Sequence, residues 1–105
     1  MKKFFEGIIK RYKDRQIRRV QHKLESDLRL ILAGMIDAAE QMQIHRGGAS
    51  FYYQKKFMEA AMAIELGNDT VKESLPQCSS EFRMEALARI KVVERLLIAM
   101  TERPL

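Results

Sequence analysis

Residues 17 to 43 read IRRVQHKLESDLRLILAGMIDAAEQMQ. In this stretch Ile17, Val20, Leu24, Leu28, Ile31, Met35, Ala38 and Met42 follow one another in steps of three or four residues. That spacing puts all eight on one stripe of an α-helix. The only helix-weakening residue inside it is Gly34, which costs about 1 kcal/mol relative to Ala. One long helix is therefore expected, closing at Arg46-Gly47-Gly48, where a glycine can take up the left-handed conformation that ends helices.

Towards the N-terminus, Phe4, Phe5, Ile8, Ile9 and Tyr12 also recur at helical spacing, with cations on the other side. On an ideal helix this stripe is rotated well away from the one that begins at Ile17, so either the helix bends near Lys13 to Gln16 or the first segment faces a different partner. Residues 17 to 45 alone would span about 43 Å, whereas a compact chain of this length has a radius of gyration of about 13 Å. Residues 1–16 are thus expected to overhang the bundle as a basic amphipathic arm, with residues 17–105 forming the body of a single domain.

Downstream, Ser50 is a good N-cap for a helix from Phe51 to Leu66 that presents Tyr53, Phe57, Ala60, Ala61 and Ile64 on one face. Gly67-Asn68-Asp69 reads as its stop, with Gly67 left-handed. Thr70 to Glu73 has capping-box spacing for one short turn, ended by Pro76, which disfavours the helical region at the residue before it. Ser79 or Ser80 caps a last helix to about Glu102, with Phe82, Ala86, Ile90, Val93, Leu97 and Met100 as its stripe. Phe51, Met58 and Met62, and likewise Leu87 and Ile98, lie on second faces, more apolar surface than three helices need to bury, so a homodimer is the preferred explanation, though a fourth element made by the N-terminal arm would serve too. The fold class is all-α: a small bundle of three main helices with a long first helix.

The chain has 105 residues, 47% of them hydrophobic and 31% charged, in the normal range for a folded soluble chain. The lone Cys78 cannot form an internal disulfide, and no stretch has the roughly 18 apolar residues of a membrane span. A cytoplasmic location is expected. The net charge is +5, unevenly placed. Residues 1 to 23 carry nine Lys or Arg against Glu6 and Asp14, an excess of seven positive charges, while the remainder carries ten basic and twelve acidic side chains. The chain is a nearly neutral body with a basic arm.

Several residue pairs imitate known chemistry without its context. His22 and Glu25 sit three apart, the reverse of the Glu-x-x-His order of di-iron bundles and in one copy only, so no metal is expected and a surface His beside a Glu explains the pair. His45 at a helix C-terminus is placed where a cation is favoured. Tyr52 and Lys56 have the spacing of a dehydrogenase proton-transfer pair, but the glycine-rich dinucleotide turn is missing. Cys78 before a helix N-terminus could gain thiolate character, and Ser50 could face a phosphate, yet an ordinary loop cysteine and a helix cap account for them. A helix-turn-helix over Phe51 to Leu75 has too short and too acidic a second helix. No cofactor and no catalysis are expected.

The arm carries the functional expectation. Lys10, Arg11, Lys13, Arg15, Arg18, Arg19 and Lys23 suit the phosphates of nucleic acid. With Phe4, Phe5, Ile8, Ile9 and Tyr12 they also suit an anionic membrane surface or a groove on a protein partner. The cations run on past Tyr12 to Lys23, which favours nucleic acid. The expected role is a regulator or inhibitor acting on nucleic acid or on a nucleic-acid-processing enzyme, as among small bacterial and phage regulators, with a peripheral membrane protein as the alternative.

Overall fold

The computed structural model describes residues 2–46 and 50–102, and among these it is an all-α bundle without strands. Helix α1 spans Lys2–His45, α2 Phe51–Ser74 and α3 Ser80–Glu102, with a 3-10 turn at Leu75–Gln77 between the last two. Both α2 and α3 pack on α1. The first is antiparallel to it, bringing Ala60 to Ala38 and Met42, and Gly67 to Met35 and Ile31. The second runs parallel to it, as successive contacts of Glu25 with Ser79, Arg29 with Glu85 and Gln43 with Leu96 show.

The core forms where the three stripes meet. Leu28, Leu32, Met35 and Ala39 of α1 pack with Val71 of α2, Cys78, and Phe82, Ala86, Ile90 and Val93 of α3. Full burial of side chains such as Leu32, Val71 and Phe82 contributes about 1.5–3 kcal/mol each. A smaller cluster of Ala38, Met42 and Ala60, flanked by Phe57, Leu97 and Met100, closes the other end. Ser79 is the N-cap of α3: its Oγ accepts from the Phe82 backbone N–H at 3.2 Å and donates to Glu25 Oε1 at 2.7 Å. The same carboxylate accepts from the Ser79 N–H at 3.3 Å. Glu25, only 5% exposed, therefore sits at the positive end of α3, where an anion is favoured.

The structure decides between the two alternatives at Lys13 to Gln16 and changes several other expectations. Helix α1 runs unbroken through Lys13 to Gln16. Of its expected core stripe, only the part from Leu24 onward is covered: Ile17 and Val20 are 64% and 66% exposed, because the 3-10 turn meets α1 at Gln21 and no described element packs on α1 beyond it. The overhang is longer than residues 1–16, and the molecule measures 74 × 23 × 15 Å with a radius of gyration of 19.7 Å.

Helix α2 does not stop at Leu66. Gly67 is buried inside it, and Thr70 to Glu73 continue the same helix. A Cβ at Gly67 would lie 2.7 Å from Met35 Cγ, so the glycine is there for close approach of two helices rather than for a left-handed end. Leu75, ahead of Pro76, is nevertheless helical, with φ −54° and ψ −39°. The tighter 3-10 turn accommodates the proline near its start, where no backbone N–H is required. The expected glycine closure of α1 at Gly47-Gly48 lies outside the described residues, α1 ending at His45 with a turn at Arg46.

Candidate docking surface on the N-terminal arm

Every described residue from Lys2 to Val20 is exposed. Phe4, Phe5, Ile8, Ile9 and Tyr12 are between 47% and 69% accessible, with the two phenylalanine rings edge to face at 5.9 Å. Because α1 is continuous, helical geometry fixes the direction of this stripe. At 100° per residue its centre lies about 160° round the helix from the side that meets α2 and α3. The stripe thus points away from the bundle, and none of the described residues of the chain's own body stands over it.

The seven cations do not converge on one face. Lys10, Lys13, Arg11 and Arg18 ring the flanks and back of the arm, whereas Arg15, Arg19 and Lys23, one turn apart, extend the line of the apolar stripe. The outer side of α1 is therefore apolar for its first three turns and basic for the next three. Tyr12 is held in this row by Gln16, whose Nε2 donates to the phenol oxygen at 3.0 Å. That ordered sequence of two chemistries along one row went unread in the sequence, although the spacing Arg15, Arg19, Lys23 carries it.

On the inner side, Ile17 and Val20 with the half-buried Leu24 form a shallow apolar ledge beside Gln21 and Gln77. It continues the core seam past the end of the bundle.

The remaining candidates resolve into structural roles. His22 is exposed while Glu25 is buried on Ser79, so the two do not act together, and the described residues hold no group of three potential metal ligands. Cys78 is buried, its Sγ 3.4 Å from the Ser74 carbonyl oxygen. Burial, and secondarily the charge of Glu25, push its thiol pKa upward, so the position at a helix start does not make it a reactive thiolate. Lys56 lies 5.7 Å from the Tyr52 ring centre and pairs with Glu59 at 3.5 Å. His45 packs against Tyr53 and Tyr52 at 5.4 and 6.4 Å. Ser50 caps α2 by accepting from the Tyr53 N–H at 3.3 Å, and the unbroken α2 leaves no helix-turn-helix over Phe51 to Leu75.

No known protein family matches the chain, and no curated protein and no solved structure matches it.

Proposed function

We propose that this protein is a non-enzymatic docking protein that attaches to an anionic membrane surface by the outer side of its arm. The observation that supports this is the uncovered stripe Phe4, Phe5, Ile8, Ile9 and Tyr12, directed away from the bundle and followed in line by Arg15, Arg19 and Lys23. A flat surface can cover such a row without meeting α2 or α3. The apolar side chains enter the boundary of the acyl region, contributing roughly 1 kcal/mol or more apiece. Cations near an anionic leaflet add about 1 kcal/mol each. Phosphates of a duplex would neutralise the cations but leave the stripe in water.

Co-sedimentation with vesicles tests this. Binding is expected to vesicles of phosphatidylserine and phosphatidylcholine, to weaken in high salt, and to fall at least tenfold in Phe5→Glu. A wild-type protein left in the supernatant at low salt overturns the reading.

A second reading, a regulator or inhibitor acting on nucleic acid or on an enzyme that processes it, is supported by the way Lys10, Arg11, Lys13 and Arg18 surround the arm, as a helix lying between two phosphate rows requires. In that case duplex DNA binds with a steep salt dependence and Phe5→Glu has little effect.

A further inference from the structure

The outer side of α2, turned away from α1, repeats the arrangement of the arm with the charge reversed. Met58, Met62 and Leu66 stand one turn apart and are all more than half exposed, and Asp69 and Glu73 continue the row. Laid parallel, one and the same shift along the chain sets Ile8 against Met58 and Tyr12 against Met62. The same shift then sets Arg19 against Asp69 and Lys23 against Glu73. Among the described residues, none of these four charged side chains is engaged in an ion pair. Two apolar pairs and two cation–anion pairs, with Gln16 opposite Leu66 between them, lie along about 22 Å of helix.

The extended shape also leaves the chain more surface than its mass requires. The chain exposes 8337 Å², whereas a compact monomer of 12.3 kDa exposes about 6,100 Å². The surplus of about 2,200 Å² exceeds the total of about 1,600 Å² that a standard specific interface buries.

We infer that the outer face of α2 is the docking site for the arm of a second copy of this chain. The arm cannot fold back onto its own α2, because the continuous α1 carries it straight out past the end of the bundle at which α2 terminates. The contact joins two different surfaces, so each copy offers one arm and accepts one, and association can pass beyond a pair. It competes with lipid for the arm's outer stripe, making the associated form the one present away from a surface.

Sedimentation of the full chain in buffer without vesicles tests this inference separately from the membrane reading. Wild type is expected to give species larger than the monomer whose share rises with concentration and falls with salt. Arg19→Asp and Asp69→Arg each weaken association about two- to tenfold, Met62→Glu at least tenfold. Mixing Arg19→Asp with Asp69→Arg restores association across the reversed pair. A protein that stays monomeric at every concentration overturns the inference, as does association that both charge reversals leave unchanged or that their mixture does not restore. Asp69 lies outside the arm, so Asp69→Arg retains vesicle binding. Association with intact charge coupling but no vesicle binding supports the docking site and overturns the membrane reading alone.

Discussion

Substituting alanine for the two glycines that lie within helices of the body should have opposite effects, and the difference measures how closely α2 approaches α1. At Gly34 an added Cβ meets nothing within 4 Å. There the gain in helix propensity, about 1 kcal/mol, stands alone. At Gly67 the same gain is opposed by contact with Met35 Cγ at 2.7 Å, Met35 Sδ at 2.9 Å and Ile31 Cγ2 at 3.2 Å. Methionine is flexible, but Met35 is 2% exposed and has only the packed core to move into. Overpacking of this kind costs about 1–3 kcal/mol, so Gly67→Ala is neutral to destabilising by about 2 kcal/mol. The two variants should therefore differ by about 1–3 kcal/mol, or roughly 5–20 °C in Tm for a domain of this size. Thermal unfolding followed by circular dichroism reads this directly, with urea titration as the check on free energy. Adding Met35→Ala to Gly67→Ala should cost less than the sum of the single changes by at least about 0.5 kcal/mol, because the new methyl group occupies space that Met35 vacates. If Gly67→Ala stabilises as much as Gly34→Ala, the close approach of the two helices is wrong.

Two further outcomes concern ionisable groups. A thiol reagent at neutral pH should modify Cys78 slowly in the native protein and rapidly once guanidinium unfolds it, since burial raises its pKa and the side chain is covered; rapid native labelling would contradict this. Glu85 is held below the usual carboxylate range chiefly by its hydrogen bond from Arg29, then by the charges of Arg29 and Arg89, each of which it meets at 3.1 Å. A carboxylate with a depressed folded pKa lends stability in full above its unfolded value of about 4.3 and loses it as the pH falls through the lower folded value. Below about pH 4.3 the wild type should lose stability more steeply than Glu85→Gln, and parallel curves would show that the pair adds nothing.

Helix type and the α3 stripe were readable because Phe82, Ala86, Ile90 and Val93 repeat without interruption, and all four are buried. The end of α2 was not. Leu66-Gly67-Asn68-Asp69 has the composition of a helix stop, and what reveals Gly67 as helix interior is its close packing on Met35, thirty-two positions earlier in the chain. Glu25 gave no local sign of its burial for the same reason. Beside His22 it looks like a surface acid, but its burial depends on Ser79, which no local pattern reveals. Ile17 and Val20 continue the α1 periodicity faithfully yet remain exposed. Periodicity states which side of a helix is apolar; the lengths of the partners, 24 and 23 residues beside 44, state how much of that side is covered.

That mismatch in length bears on how the arm can act at all. An isolated helix of about twenty residues is marginal in water, and the difficult step is nucleation of its first turn. Here the nucleus already exists: Leu24, Leu28 and Leu32 are anchored in the bundle, and helix propagates from them towards Lys2 at the lower cost of adding single residues. The arm is thereby held as a helix before it meets a partner, with its outer row already aligned, so docking does not have to supply the whole ordering cost that a disordered basic tail would bring. The same continuity fixes the rotation of the row. A break at Lys13 to Gln16 would free the stripe to turn towards its own bundle, whereas an unbroken α1 keeps it facing outward, towards a surface or towards the α2 of another copy.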